Sequence, residues 1–273
     1  MLRKCLTFLF LITVYQSLAQ QDEPILSFIE NKGQWPVNVL FMATPNAQTS
    51  LFIEKDRITI THTEKKEHSH PHHDREMEEG GHTQNEDCNH LTIKHHTYSI
   101  LFDNGNCDNF SVANPSPDYL NYFTGEKQIS NAHRYQEVTL NNIWDGISLH
   151  IGQINGSIKF DWYLKPESDA SLIKLRYVGV DGLNIVDGSL RVKTSLGVSE
   201  EKRPTAWLED TNEGVIVEYK LTEDLLQFET NWDGREELII DPELVFSTYS
   251  GSFADNWGYT ATSDNNGNVF SGG

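Results

Sequence analysis

The sequence predicts a mainly β protein built on an antiparallel, β-sandwich-like domain. Short runs of alternating polar and apolar residues recur along most of the chain, and turn dipeptides such as Asn155-Gly156 separate them. Hardly any segment shows the 3.6-residue period of an amphipathic helix. Short strands at this spacing are typical of antiparallel sheets and not of alternating βαβ units.

The first predicted strands lie in residues 50–63, on either side of a Lys-Asp turn, and in residues 91–102. Residues 137–166 are predicted to form a meander with turns at residues 144–146 and at Asn155-Gly156. Asn-Gly between alternating segments is the strongest local hairpin signal, because both central residues of the turn adopt positive φ.

Short strands continue through residues 173–197, where Asp187-Gly188 marks a turn, and through residues 214–249. Residues 168–172 are expected to form a brief helical turn. Pro242 is expected to end a strand or to lie at a sheet edge, because proline has no N–H to donate to a ladder. The β-rich domain predicted from these elements spans residues 20–241.

Residues 1–19 are predicted to be a secretory signal peptide. Arg3 and Lys4 supply a positive start, residues 5–15 are apolar, and residues 17–19 provide the small side chains of a cleavage site. The apolar run is too short to cross a bilayer comfortably, and no other segment is apolar for long enough. We therefore expect an exported chain without a membrane span.

The chain is strongly acidic, with a formal net charge of −19 at pH 7. Removal of the signal peptide makes this charge more negative, because that segment contains two basic residues and no acidic one. Such a balance disfavours nucleic acids and anionic membrane surfaces as partners. A solvated acidic surface is sufficient to explain the charge itself.

One segment departs from the β pattern. Nine of the eleven histidines lie between His62 and His96, and no apolar residue recurs between residues 63 and 89. Such a segment cannot bury enough surface to fold, so a disordered insertion rich in histidine and acidic residues is predicted at residues 63–89.

The densest candidate metal ligands in this insertion are four histidines, His68, His70, His72 and His73. Neutral imidazole suits zinc, copper and nickel, and alternating histidines in an extended loop can supply two or three ligands. The spacing matches no structural zinc motif, and no neighbouring group is evident that would orient the rings. Two alternatives follow: a loop that binds Zn, Cu or Ni weakly, and a polar linker that needs no cofactor.

Cys88 and Cys107 are the cysteines that remain after removal of the signal peptide. The oxidising environment outside the cell permits a disulfide between them, which would stabilise the fold by roughly 3 kcal/mol. Two cysteines define no disulfide framework, so a bridge and two free thiols are both open. The sequence has no Cys-x-x-Cys pair, which argues against a zinc ribbon or a redox site.

Sequence motifs give little support for catalysis. No Gly-x-Ser-x-Gly elbow, Walker A motif or Gly-x-Gly-x-x-Gly loop occurs, and Ser195 and Ser199 have no paired local motif. His95 and His96 face opposite sides of a predicted strand and cannot act together. A half-buried structural role is expected for His150. The six tryptophans are spread along the chain and are expected in the core, with Trp162 as an anchor.

Five blocks follow one another along the mature chain: "FIENKGQW", "YLNYFTG", "VTLNNIWDGISLHI", "IKFDWYLKPESDASLIKLRYVGVDGL" and "LIIDPELVFSTYSG". In this order they resemble the N-terminal domain of Bacteroidota extracellular proteins and its junction with a first SBBP-type β-propeller repeat. The repeat's pattern continues with Gly251, residues 264–270 and Gly272. The usual Gly-Gly after Ser-Thr-Tyr is Gly251-Ser252 here, and an acidic stretch is reduced to Asp255.

The resemblance covers residues 25–273 and implies that residues 242–273 begin a truncated SBBP-type repeat. The full predicted architecture is thus a β-sandwich-like domain followed by the first, incomplete blade of a β-propeller. One repeat cannot close a propeller, because each blade buries its face against its neighbours. We therefore expect an N-terminal fragment of a longer protein; the alternative is a short protein whose last strand packs on its own domain.

The predicted function is non-enzymatic. The resemblance implies a secreted or outer-membrane surface protein, related to proteins of gliding motility and type IX secretion, which acts as a scaffold or adhesin with a protein or glycan partner. One alternative is a carbohydrate-binding or hydrolytic protein whose site lies in further propeller repeats. Another is a secreted metal-sequestering protein that uses the histidine-rich loop.

Overall fold

A computed structural model describes residues 26–68, 90–124, 127–154, 157–245, 260–263 and 269–272. These residues form twenty β-strands and one short 3₁₀ turn, and no α-helix occurs among them. The prediction of a mainly β protein is therefore confirmed.

The strands that precede the 3₁₀ turn are β1 (Phe28–Glu30), β2 (Val39–Asn46), β3 (Thr49–Glu54), β4 (Arg57–His68), β5 (His90–Phe102), β6 (Phe110–Thr124), β7 (Lys127–Trp144), β8 (Ile147–Ile154) and β9 (Ser157–Leu164). The 3₁₀ turn is Ala170–Leu172, as expected after Pro166.

The strands that follow the turn are β10 (Leu175–Val178), β11 (Gly182–Val186), β12 (Ser189–Thr194), β13 (Gly197–Glu201), β14 (Thr205–Leu208), β15 (Val217–Thr222), β16 (Leu225–Thr230), β17 (Leu238–Asp241), β18 (Glu243–Val245), β19 (Thr260–Ser263) and β20 (Val269–Gly272).

Eighteen of these strands belong to one antiparallel sheet with two arms that meet at β7. The first arm runs from β7 through β1, β2, β3, β4, β5, β10 and β16 to β15. The second arm runs from β7 through β8 to β9, which pairs with both β17 and β18. Strand β14 extends the second arm beyond β17, and β13, β12 and β11 extend it beyond β18.

The two arms face one another across a shared core, and their outermost strands, β11 and β15, come into contact. The sheet is therefore nearly closed. Aromatic rings join the arms at the centre: the ring of Trp162 on β9 lies 6.1 Å from that of Phe102 on β5 and 6.4 Å from that of Phe228 on β16. Alternate residues of β9 point inward, which is why Phe160 is buried with Trp162 while Tyr163 faces outward.

The predicted turns occur where the sequence places them. Asp187 and Gly188 both have positive φ, 51° and 83°, and join β11 to β12 as a two-residue hairpin. Gly146, with φ of 71°, lies in the turn between β7 and β8. Ile154 pairs with Ser157 across the predicted Asn-Gly turn, whose own residues lie outside the described part of the chain.

Two predicted boundaries require correction. Strand β4 continues to His68, where it pairs with His90 of β5, so the first residues of the predicted insertion at 63–89 are strand. Strand β18 pairs with β9 and β13, so Glu243–Val245 belong to the main sheet and not to a following repeat. Pro242 does end β17, as expected, but it lies between two strands of one domain.

Strands β19 and β20 form a separate two-stranded sheet in which Ser263 pairs with Val269. This pairing agrees with a turn at the predicted "DNNGN", residues 264–268, which lie outside the described residues. That this hairpin is a propeller blade stays a prediction. Among the described residues, no helix is long and apolar enough to cross a membrane.

The central aromatic contact gives the first prediction. Replacing Trp162 by alanine removes a side chain that is 3% exposed and bridges both arms. We expect Trp162→Ala to lower the free energy of unfolding by about 3–5 kcal/mol, because it leaves a cavity as well as losing apolar burial. Urea denaturation followed by fluorescence measures the loss. The neighbouring Tyr163→Ala, on the outer face, should cost less than half as much; equal losses would contradict the described packing.

Candidate interaction surface

The loop after β1 is held together by the side chain of Asn31, in the sequence "ENKGQW". Its Oδ1 accepts hydrogen bonds from the backbone N–H groups of Gly33 at 2.9 Å and Trp35 at 3.3 Å. Its Nδ2 donates to the carbonyl oxygens of Pro36 and Val39, both at 2.8 Å. One side-chain amide therefore binds four polar backbone groups of the loop and ties its start to its end; we call these contacts the Asn31 hub.

Further contacts fix this loop to the sheet. The Glu30 carboxylate accepts the backbone N–H of His133 on β7 at 2.8 Å, and Gln34 donates to the Glu30 carbonyl at 2.7 Å. The ring of Trp35 packs edge-on against Phe52 on β3 and Tyr122 on β6, with centroids 6.2 and 5.8 Å apart. The loop is thus anchored to β3 of the first arm, to β6 and to β7.

An open groove of about 330 Å³ lies between this loop, the start of β2 and the start of β6. Its lining combines apolar and polar side chains: Glu30, Asn31, Trp35, Val37, Phe41 and Phe110. Val37 is 88% exposed and Phe110 is 41% exposed, although the Phe110 ring also packs against buried Phe41 at 5.1 Å. We call this groove, with its two exposed apolar side chains, the Trp35 groove.

Strand β6 borders the groove and is unusually exposed for its length. Among the described strands it pairs only with β7, so within the described residues its other edge has no strand partner. Tyr119 and Phe123 on the same strand are 52% and 74% exposed. Four of the large exposed apolar side chains of the described chain, Val37, Phe110, Tyr119 and Phe123, therefore lie on the loop or on β6. Clustered apolar exposure of this kind marks interaction surfaces.

Two histidines at one end of the core make hydrogen bonds between the two arms of the sheet. His62 and His96 lie opposite one another on β4 and β5. The Nε2 of His96 lies 2.9 Å from the carbonyl oxygen of Gly179, so it carries the proton, and Nδ1 accepts from the hydroxyl and the N–H of Ser195, at 2.9 and 3.2 Å. Because both groups of Ser195 bond the same nitrogen, the contact ties the β12–β13 turn to the first arm.

His62 makes an equivalent tie in the interior. Its Nδ1 lies 3.2 Å from Thr49 Oγ1, and its Nε2 lies 3.4 Å from Ser199 Oγ on β13. Burial, together with the neighbouring His96, lowers the pKa of His62. Ser195 and Ser199 have no partner near them in the sequence, because their partners His96 and His62 come from the opposite arm of the sheet.

Deeper in the same end, Glu201 is a buried carboxyl surrounded by tyrosines. Tyr177 donates to Glu201 Oε1 at 2.6 Å, and Tyr219 lies 3.5 Å from Oε2. Burial raises the pKa of Glu201, although both hydroxyl groups favour the charged form. This network joins β13 of the second arm to β10 and β15 of the first. At this end of the core it links the two arms, as the aromatic rings do at the centre.

A second ionic cluster lies on the outer face of β8, β9 and β17. Lys159 contacts the carboxylates of Asp161 and Asp241, each at 3.1 Å. Half-buried His150 lies 3.7 Å from Asp161 and 3.5 Å from Glu137. The Asp161 carboxylate, with Glu137, raises the pKa of His150. These contacts support the structural role expected for His150.

The predicted metal ligands cannot be assembled from the described residues. His70, His72 and His73 lie outside them, and His68 is described only as the last residue of β4, in register with His90. Within the described part of the chain, no group of three histidine, cysteine or acidic side chains could hold a metal ion. A metal site in the histidine tract therefore stays a prediction.

Cys107 carries a free, buried thiol among the described residues, and burial raises its pKa to about 12. Cys88 lies outside the described residues, so the predicted bridge between them stays untested. Of the tryptophans, Trp144 and Trp162 are core residues as expected, at 7% and 3% exposure, whereas half-buried Trp35 lines the groove.

Comparison with known proteins places most of the chain in one family. Within the described residues, strands β1 to β18 form one large antiparallel sheet. A family model described as a domain of unknown function, DUF7948, matches residues 28–243, from the first residue of β1 to the first residue of β18. The chain belongs to the DUF7948 family. No curated protein and no solved structure matches it.

The Asn31 hub gives a stability prediction. Asn31→Ala leaves two backbone N–H groups and several carbonyl oxygens of the loop without their partner, so we expect a loss of about 2 kcal/mol in the free energy of unfolding. Asn46→Ala, which removes one contact to Gln48 in an exposed turn, should cost about 0.5 kcal/mol. Denaturant titration of both variants measures the two losses. A loss for Asn31→Ala no larger than that for Asn46→Ala would show that the Asn31 contacts do not stabilise the fold.

The His150 cluster gives a pH-dependent prediction. Because its pKa is raised in the folded state, the ion pairs stabilise the fold fully below the unfolded pKa of about 6.5, and this contribution is lost as the pH rises through the folded pKa. We expect His150→Gln to cost about 1 kcal/mol at pH 5.5 and much less at pH 8.5. Glu137→Gln should weaken this dependence. Equal costs of His150→Gln at both pH values would argue against charged His150.

Proposed function

We propose that this chain is a non-enzymatic scaffold or adhesion domain of a secreted or cell-surface protein, and that it binds a protein partner through the Trp35 groove and β6. The predicted signal peptide and the resemblance to Bacteroidota surface proteins support the location. The observation that carries the proposal is the groove itself, where a rigid loop holds exposed apolar side chains beside a free strand edge.

A side chain such as Val37, 88% exposed in a fixed loop, contributes nothing to the core, yet the Asn31 hub holds it in place. Burying one such side chain against a partner yields roughly 1.5–3 kcal/mol. Because the loop is ordered before binding, little of this gain is lost to ordering it.

The groove also has the composition of a protein-binding site. Its lining includes the aromatic side chains of Trp35 and Phe110 and the carboxylate of Glu30, which pairs with Lys32 at 3.3 Å. Aromatic residues beside polar groups are typical of protein–protein interfaces. Further repeats after this domain would place several copies of a module on one chain, which fits a scaffold that presents an array.

Binding to intact cells tests the proposal. Fluorescently labelled full-length chain is added to cells of the species that encodes it, and retained label is measured before and after trypsin or periodate treatment of the cells. We expect retention that trypsin abolishes and periodate does not. Val37→Asp and Phe110→Asp should each weaken retention about tenfold, because a charge in the apolar groove opposes burial.

Ile216→Asp is the matched control, since Ile216 is 65% exposed and lies outside the groove and β6. Its retention should equal that of the unaltered chain. Loss by periodate with resistance to trypsin would assign a glycan partner and overturn the protein partner. Equal retention of the groove variants and the control would show that the groove does not bind the partner.

A further inference from the structure

Within the described residues, the outer edge of β6 carries a defined set of backbone groups without a ladder partner, and these lie beside the groove. In the antiparallel ladder with β7, Phe110 pairs with Leu140 and Val112 with Val138. The N–H of Asn141 donates to the carbonyl of Asn109 at 2.8 Å, so Asn109 points toward β7. Because backbone groups of an antiparallel strand alternate in direction, those of Phe110 and Val112 point away from β7.

The usable edge is short. Asn114 has a positive φ of 52°, and the ladder with β7 shifts register between Pro115 and Tyr119. Pro115 and Pro117 lack an N–H, so this part of β6 cannot donate hydrogen bonds at those positions. The regular edge next to the groove is therefore residues 110–113.

The groove lies where a side chain of an added strand would reach it. Phe110 is at once the first residue of this edge and part of the groove lining. It pairs with buried Leu140, so its side chain is on the core side of the sheet, where Phe41 also packs. Alternate side chains of a strand laid beside β6 would point to this same side.

We propose that residues 110–113 of β6 bind an extended segment of the protein partner by strand addition, with one apolar side chain of that segment in the Trp35 groove. This inference rests on the proposed function and specifies its binding mode. Backbone hydrogen bonds to Phe110 and Val112 supply affinity, and the groove supplies selectivity, as in other cases of strand addition. The free edge makes hydrogen bonds only with an extended backbone, which identifies the class of ligand.

The charge of the chain defines the segment further. The domain belongs to a chain of net charge −19, and the cations next to the groove, Lys32 and Arg134, already pair with Glu30 and Asp118. A segment that alternates basic and apolar residues complements both the charge and the groove.

A synthetic peptide in which lysine alternates with valine or phenylalanine is the probe. We expect it to bind the full chain, with NMR shift changes at the amides of residues 110–113 and in the groove. Two analogues carry N-methyl groups on one or the other alternate set of residues. Because only one set faces β6, one analogue should bind about tenfold more weakly than the other.

The matched protein variants are Val112→Pro and Val112→Thr. The N–H of Val112 points away from β7, so proline there removes a donor to the partner without removing a ladder hydrogen bond, whereas threonine keeps both donor and shape. We expect about tenfold weaker peptide binding for Val112→Pro and unchanged binding for Val112→Thr, at similar melting temperatures. If Val112→Pro unfolds, strand addition is tested by the comparison of the two N-methyl analogues on the unaltered chain.

Three results would overturn strand addition: no binding of the peptide, equal binding of both analogues, or shift changes confined to residues away from 110–113. Slow amide exchange at Phe110 and Val112 in the isolated chain, which would show that the chain's own residues cover the edge, would also overturn it. Cell retention separates this failure from that of the proposed function. If Val37→Asp loses retention and Val112→Pro keeps it, the groove remains the binding site and strand addition is wrong.

Discussion

The fold depends on β7, because this strand holds both arms of the sheet. Along one edge it pairs first with β1 and then with β8, and along the other edge it pairs with β6. Its eighteen residues are long enough for two strands to follow one another on the same side. Since neither arm can bury its apolar face alone, the core exists only because β7 fixes how the arms meet.

The core that results has two chemically different regions. Its centre is filled by aromatic rings such as Phe102 and Trp162, whereas the end near β13 is filled by hydrogen-bonded side chains such as Glu201 and Tyr177. A buried carboxyl with fixed partners tolerates no displacement of the strands that carry it, because each unmade hydrogen bond is costly. The polar end therefore specifies which strands of the two arms face one another.

Local sequence patterns predicted most strands and turns because the signals are local. Alternation defined β8 and β9, and the positive φ of Asp187 and Gly188 follows from the residues at the turn itself. The sandwich-like detail rests on the spacing of short strands and the propeller blade on resemblance, and both stay predictions. The extent of β18 was missed because its partners, β9 and β13, are distant in sequence.

The candidate surface was only partly visible in the sequence. The motif "FIENKGQW" was recognised as a family block, and its Asn-x-Gly pattern is the signal that could have indicated a loop organised by an Asn side chain. The groove itself could not be predicted, because it is formed by residues as far apart in the chain as Val37 and Phe110. The contacts of His96 with Ser195 could not be predicted either, because the two residues are also far apart in the sequence.

The burial of Cys107 has a consequence for the order of events during folding. Its sulfur is enclosed and its pKa is near 12, so almost none of it is thiolate at neutral pH, and thiolate is the form that attacks a disulfide. An oxidoreductase can act on this residue only while the strands around it are still apart. Oxidation after the domain has closed requires these strands to open locally, so burial favours formation of a bridge to Cys107 before the strands pack.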